Sequence, residues 1–414
     1  MFCPRLDHFI RLNRDGTVGK CGHMINAQGF ESYEELEHSQ WMANIRKTME
    51  QGQWPMECFR CQRSEKVKGE SIRTNSIPRH KMLHPIRKDY LIVGGVLDNV
   101  CNSACQSCNS GLSTKIGSLE SKDYPRVNNY EVFKKLPQER IIEFDVNGGE
   151  PTASKNYKKI LKSLPDNVKI VRMNTNGSRM ISELEEVLRR DTMVIVTMSL
   201  DGIGKVHDYT RWPIKWDNYK KTVDAYQELQ KTYKLLQLDF WTTVSCLNIK
   251  NLPDIINFAR DKNIPHDWAF LEQPSVLNVK YTNKFTTLAK HVSPNEIAVD
   301  ENNDELLAEF IDRQDRLRNI DIKDYVLANP GVYAVKVKIN DLIKKGIANV
   351  GYRPTFKGKS LLLETNIFGI NKNLYNKVLT ISFKKFIRAE KKFKNLENLK
   401  KQIKIDIKKS KRNV

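Results

Sequence analysis

The octet Cys101-Asn102-Ser103-Ala104-Cys105-Gln106-Ser107-Cys108 decides how the rest of this chain is read. Three thiols spaced C-x3-C-x2-C can place three sulfurs around one iron–sulfur cube and leave its fourth iron without a protein ligand. An open iron is a place for a small molecule to bind, so the pattern points to chemistry more than to architecture. Three cysteines this close cannot comfortably pair with one another, and a closed structural zinc site would need a fourth ligand. Taken alone, the octet leaves zinc or a chance cluster as open readings.

Working outward, residues 89–97 (DYLIVGGVL) read as a strand that ends just before the octet. After it, strands are expected at 141–146, 168–173, 193–199 and 238–244, with helical stretches at 153–164, 182–190 and 218–231. This alternation implies α/β architecture, a parallel sheet with helical crossovers. Unusual residues gather at the strand ends, where such enzymes place their chemistry. Asn147-Gly148-Gly149-Glu150-Pro151 follows one strand, Asn174-Thr175-Asn176-Gly177 the next, and Ser199-Leu200-Asp201-Gly202 the one after. Each is an ordinary turn sequence when taken singly. Three such pieces in order behind a three-cysteine loop are a much stronger signal.

In these residues the chain resembles the radical S-adenosylmethionine (SAM) superfamily. The resemblance implies a partial (β/α)6 TIM-like barrel in which Cys101, Cys105 and Cys108 bind a [4Fe–4S] cluster. It further implies that Gly148, Gly149, Glu150 and Pro151 lie near the methionine amino group, with Glu150 accepting a hydrogen bond from it. Asn176, Ser199 and Asp201 are then further cofactor contacts, and Arg211, in Tyr209-Thr210-Arg211-Trp212-Pro213, a holder of the cofactor carboxylate. Such a cluster, given an electron, cleaves SAM to methionine and a 5′-deoxyadenosyl radical that abstracts hydrogen from an unactivated C–H bond. The electron donor expected is a reducing protein such as flavodoxin or ferredoxin. The substrate is not written in the motifs; relatives with this type of module often modify peptides.

Four more cysteines precede the barrel: Cys3, Cys21, Cys58 and Cys61. Arg14-Asp15-Gly16-Thr17 reads as a hairpin turn that brings Cys3 and Cys21 together. The set is similar to the auxiliary "twitch" module of the family, together with Glu65 and Ser71-Ile72-Arg73, and implies a second [4Fe–4S] cluster. Structural zinc is the alternative for the same thiolates. Cys246 stands alone and reads as a small buried hydrophobe. The histidines show no ligand spacing, and none is assigned a role.

Length and composition agree with a multidomain globular protein. The 414 residues are 40% hydrophobic, with no run approaching a membrane span. The first residues, MFCPRLD, contain no apolar secretion segment, so reduced thiols and a cytoplasmic location are expected. The net charge of +20 is unevenly spread: residues 325–414 hold 22 Lys and Arg against 5 Asp and Glu, and contain no cysteine. Lysines there punctuate apolar positions instead of forming one block, so solvated faces are favoured over a nucleic-acid interface, and no membrane partner is expected.

That composition break marks a different segment. Gly331-Val332-Tyr333-Ala334, Gly346-Ile347-Ala348-Asn349-Val350-Gly351, Arg353-Pro354-Thr355 and Leu363-Glu364 are similar to the C-terminal part of bacterial riboflavin kinases. The resemblance implies an incomplete β-barrel plus helix, with Glu364 as the base that activates the flavin 5′-hydroxyl, and with ATP, magnesium and riboflavin or FMN as ligands. A turn is expected at Asn329-Pro330-Gly331, a turn-rich loop at 346–356, strands at 332–337, 360–365 and from Tyr375 to Phe383, and a closing helix on Leu396, Leu399, Ile403 and Ile407. The family's Pro-Thr-Ala-Asn motif, which binds metal and phosphate, is missing upstream of Gly331. Residues 305–324 read instead as a charged helix. Phosphoryl transfer depends on metal and phosphate positioning, so the segment is expected to be a truncated, inactive module.

Three regions are therefore expected: a cysteine-rich auxiliary module at 1–85, a radical SAM core at 86–324, and a kinase-like segment at 325–414. Two rivals accompany the radical SAM reading. One is a bifunctional protein that also phosphorylates riboflavin. The other is a non-enzymatic iron–sulfur electron carrier or a zinc-containing nucleic-acid binder.

Overall fold

The computed structural model describes residues 1–121, 123–279, 304–322, 331–339, 342–355, 358–370, 374, 379–389, 391, 393 and 395–412. The chain divides into two units, Met1–Tyr325 and Val326–Val414.

In the first unit the period-2 and buried runs become strands β1 (Phe9–Leu12), β2 (Val18–Gly19), β3 (Leu91–Val96), β4 (Ile141–Asn147), β5 (Ile170–Thr175), β6 (Met193–Ser199), β7 (Leu236–Val244) and β8 (His266–Phe270). They form one sheet in the order β2-β1-β3-β4-β5-β6-β7-β8. From β3 to β8 every neighbouring pair is parallel and follows chain order. This is the result of strand–helix alternation with crossover helices, including Lys155–Lys162, Leu184–Leu188, Trp216–Thr232 and Leu252–Asp261. Alternate residues of the strands enter different cores. Val194, Val196, Met198, Phe144 and Val146 pack in one cluster, and Ile195, Ile142, Ile170 and Ile92 in another. Such two-sided burial explains why these strands are continuously apolar in sequence.

The hairpin expected at Arg14–Thr17 is present, with β1 antiparallel to β2 and the Asp15 carboxylate accepting from the Thr17 amide and hydroxyl. Its first strand also pairs in parallel with β3, so the N-terminal segment is hydrogen-bonded into the main sheet. Sequence reading did not identify β8 or the helix Leu252–Asp261. The strand His266-Asp267-Trp268-Ala269-Phe270 is half-exposed along its length and carries little apolar signal. The helical stretch expected at 153–164 shortens to Lys155–Lys162, because the Ser154 side chain caps it by accepting from the Asn156 and Tyr157 amides. The charged helix expected at 305–324 is found at Asp304–Arg318.

The second unit holds β9 (Gly331–Ile339), β10 (Leu342–Thr355), β11 (Gly358–Ile367) and β12 (Leu379–Ala389), all antiparallel in the order β11-β10-β9-β12, followed by the helix Leu396–Arg412. The turn-rich loop expected at 346–356 is corrected: most of it is β10, paired with β11 along that stretch and with β9 as far as Val350. Ala348 and Val350 alternate inward onto Tyr333, Val335 and Val337, so the period-2 signal outweighs the glycines. Gly346 serves close approach of strands, since a Cβ there would lie 2.7 Å from the Asn366 carbonyl oxygen. Asn329-Pro330, Phe356 and residues 375–378 of the expected last strand lie outside the described residues. Among the described residues no helix is long and apolar enough to cross a membrane.

Candidate functional site: two cysteine sets and a C-terminal cavity

The cysteine octet follows β3, and the loops after β4, β5 and β6 close around it. Asn176 donates from Nδ2 to Asn102 Oδ1 at 2.7 Å and to Ser103 Oγ at 2.8 Å, joining the turn after β5 to the octet. The Glu150 amide donates to the Val100 carbonyl at 2.7 Å, joining the loop after β4. The Ala104 and Gln106 amides donate to the Trp212 and Thr210 carbonyls at 2.8 and 3.0 Å. From the far end of the unit, Arg318 donates from Nε to the Ala104 carbonyl at 2.8 Å. Sequence reading missed Arg318, for nothing in its helical neighbourhood points at a loop 214 residues earlier.

The glycines of the loop after β4 fit tight backbone packing. Gly148 and Gly149 have φ of +94° and +58°, and a Cβ on Gly149 would lie 2.4 Å from the Val100 carbonyl oxygen. The Glu150 carboxylate is almost wholly buried. Its Oε1 accepts from the Thr152 amide and hydroxyl and from the Thr175 hydroxyl, while Oε2 accepts from the Asn176 amide at 2.7 Å. Burial pushes its pKa up while these donors oppose the rise. Oε1 is thus filled by protein, and Oε2 keeps lone-pair capacity for one more donor.

After β6, the buried Asp201 accepts from the Arg211 guanidinium (NH1, 3.0 Å) and from the Thr243 amide at 2.8 Å. Arg211 Nε is buried and has no hydrogen-bond partner. One edge of the guanidinium is therefore anchored while another meets no acceptor, an arrangement suited to a carboxylate ligand. Ser199 ends β6, half-buried, and pairs in register with Trp241 of β7. Pro151 is buried directly after Glu150.

Cys105 is buried, and Cys101 and Cys108 are half-buried. Burial first, and then the neighbouring cysteines, push Cys101 up to about 11 and Cys108 up to about 12; Cys105 is also raised by burial, with Arg211 opposing. Thiols that resist ionisation alone, yet sit in mutual electrostatic range, are suited to a bound cation that stabilises all three thiolates.

The second cysteine set is brought together as expected. Cys3, Cys21, Cys58 and Cys61 line one small cavity of about 20 Å³, with Arg5, His23, Met24 and Trp54 among its walls. Burial pushes Cys3 up to about 11 and Cys58 up to about 12, each also feeling the other cysteines of the set. The Glu65 and Ser71-Ile72-Arg73 pieces have a clear role beside it. Arg73 donates to Glu65 through Nε (2.9 Å) and NH2 (2.6 Å), and through NH1 to the Phe2 carbonyl at 2.7 Å, while Ser71 Oγ donates to Glu65 Oε1 at 2.5 Å. One ion pair thus fixes the helices Phe59–Lys68 and Ile72–Leu83 to the strand of chain carrying Cys3. Among the described residues, no group of three or more His, Cys, Asp or Glu side chains is drawn tightly enough to hold a single metal ion. Cys246 is buried against Leu271 and Leu277, as expected of a small hydrophobe.

In the second unit, a separate cavity of about 620 Å³ is lined by Asn349, Glu364, Asn366, Arg388, Phe393 and Asp406, among others. Glu364 is exposed and lies across the β10–β11 ladder from Asn349. The cavity's far wall is fixed by Arg388 donating to Asp406 at 2.8 Å.

Comparison with known proteins separates the two units. The riboflavin kinase family model (Flavokinase) matches residues 318–414. The bifunctional riboflavin kinase/FMN adenylyltransferase of Bacillus subtilis (strain 168) is 38% identical over 85 residues, 20% of this chain and 27% of that protein. Its counterpart in Haemophilus influenzae is 40% identical over 90 residues, 22% of this chain and 29% of that protein. The chain spans under a third of the length of these relatives. The C-terminal segment therefore carries a riboflavin kinase domain match, beginning upstream of the boundary read at 325, and the expectation of a dead remnant is not borne out. Among solved structures, Streptococcus suis SuiB bound to S-adenosylmethionine aligns with a TM-score of 0.35 and 13% identity, covering 70% of this chain and 67% of that one. The structure of anSMEcpe with bound AdoMet aligns with a TM-score of 0.35 and 19% identity, covering 44% and 50%. Similarities of this size assign nothing to the chain by themselves.

Proposed function

We propose that the first unit is a radical SAM enzyme built as a partial TIM-like barrel with an auxiliary cysteine module. The observation that carries this reading is the convergence of the Cys101–Cys108 loop, the Glu150 loop, the Asn176 turn and the Asp201–Arg211 pair at the ends of parallel strands. When bound, a [4Fe–4S] cluster and SAM supply radical hydrogen abstraction. Cys101, Cys105 and Cys108 hold that cluster. Arg211 directs its unpaired Nε to the methionine carboxylate, and Asp201 keeps the guanidinium in place. Glu150 offers its remaining Oε2 capacity to the amino group, while its filled Oε1 keeps the two strand-end turns together. Burial of Cys105, Glu150, Asn176 and Asp201 limits the access of water to the inner side of this constellation.

Cys3, Cys21, Cys58 and Cys61 are read as ligands of a second cluster. Structural zinc held by the same four thiolates at about 2.3 Å is the alternative, and the metal content of the purified chain separates the two. A peptide is the proposed substrate class and a reducing protein such as flavodoxin or ferredoxin the proposed electron source. Anaerobic reconstitution followed by measurement of 5′-deoxyadenosine release under reducing conditions tests this reading; a protein with full iron content that releases none contradicts it.

A second reading concerns only the C-terminal unit. Its family match and the cavity beside Glu364 favour riboflavin phosphorylation as an additional activity, with ATP, magnesium and riboflavin as ligands and Glu364 as base. ATP-dependent FMN formation by the full chain tests it.

A further inference from the structure

Buried polar atoms without partners are costly, and most of a folded protein avoids them. Here several occur on segments that meet at the end of one short helix. Both ends of the Gln106 amide, the Nε of Arg211 and the hydroxyl of Tyr219 are buried with no hydrogen-bond partner. Gln106 is 2% exposed and Tyr219 0%.

All three are tied to the short helix Lys205–Thr210 and its end. The Gln106 backbone N–H donates to the Thr210 carbonyl, and Arg211 is the next residue. The Tyr219 ring lies 4.5 Å from that of His207, one turn before Arg211, and Tyr219 is within electrostatic reach of both Arg211 and Asp201. On its other side Tyr219 backs the turn after β5, where a Cβ on Gly177 would lie 2.5 Å from its Cε2. Tyr219 is therefore wedged between the Asn176-Gly177 turn and the Asp201–Arg211 pair. Neither its hydroxyl nor the Gln106 side-chain amide has a hydrogen-bond partner in the architecture.

We propose that Gln106 and Tyr219 are ligand-binding residues which, with Arg211, recognise the α-amino acid end of the cofactor; this rests on the radical SAM reading of the same site. The chemistry matches. Tyr219 O–H, Gln106 Nε2–H and Arg211 Nε–H are unspent donors for a carboxylate, which has about four lone-pair positions. The Gln106 Oε1 is an unspent acceptor for an ammonium group. No step of bond making is assigned to either residue.

The test uses the anaerobically reconstituted full chain, its Tyr219→Phe and Gln106→Leu variants, and S-adenosylhomocysteine as the probe, which carries the same amino acid end. Hydrogen bonds to charged groups are strong, so each variant should bind the probe roughly tenfold or more weakly by calorimetry. In the absence of probe, the urea midpoint should hold or rise, because an unpaired buried polar atom has been removed. A purely structural role predicts the opposite pair of results. Tyr219→Phe deletes one oxygen and is the deciding variant; iron content confirms that Gln106→Leu retains its cluster loop. Probe affinity within twofold of wild type in an iron-replete Tyr219→Phe protein overturns the inference while leaving the radical reading intact. A wild-type protein that holds iron but does not bind the probe overturns both.

Discussion

Substituting Asp201 by Asn should cost the first unit about 3–5 kcal/mol, the range for removing one partner of a buried ion pair. The side chains of Asp201 and Arg211 are only 5% and 12% exposed, so water cannot replace the lost charge. The variant keeps an oxygen for the Thr243 amide, which isolates the effect on Arg211. All six tryptophans lie at or before Trp268, so tryptophan fluorescence follows urea unfolding of the first unit without a signal from the second. With a slope near the upper end of about 1–3 kcal/mol per molar urea, the midpoint falls by roughly 1–1.7 M. Because Arg211 then loses its orientation, affinity for S-adenosylhomocysteine should fall as well. A midpoint shift below about 0.3 M would refute the claim that this pair is the anchored half of a ligand site.

Further outcomes follow from other groups. Gly149→Ala should destabilise by roughly 1–3 kcal/mol from its positive φ alone, with an added clash against the Val100 carbonyl oxygen, and urea unfolding will show it. His207 is held down to about 3 by burial and then by Arg211, so the folded state binds fewer protons there than the unfolded chain. Its contribution is complete above about pH 6.5 and is lost as pH falls toward 3, at up to about 1.4 kcal/mol per unit; His207→Phe should flatten that slope in pH-dependent unfolding. Glu65→Ala removes the bidentate partner of Arg73 beside the N-terminal cysteines, so iron content should drop by about the share of one cluster while the Cys101–Cys108 site is kept. If the full chain makes FMN, Glu364→Gln should abolish it with unchanged thermal unfolding of the second unit, as loss of a base requires.

Most of the site was legible because it is local. The octet and the strand-end turns each occupy a few consecutive residues, and parallel strands bring their ends together without further instruction. The hairpin turn and the C-x2-C pair each brought out two of the N-terminal cysteines, while joining the four into one set came from the family resemblance. What escaped was non-local or weakly patterned. Arg318 reaches the octet from a helix whose own sequence shows only charge, and Tyr219 reads as an ordinary core aromatic until its hydroxyl is found without a partner. His8, His80 and His84 have no ligand spacing, yet their rings come within 4.9–6.4 Å of one another. The strand β8 carries too few buried residues to announce itself. In the second unit, glycines at 346 and 351 suggested a loop, but β10 uses Gly346 for close strand approach.

The most direct test of the central claim is the iron and sulfide content of the anaerobically reconstituted chain beside a Cys101/Cys105/Cys108 triple alanine variant. Two four-iron clusters predict about eight irons in the wild type and about four in the variant. No iron in a folded wild-type protein would contradict the radical SAM account.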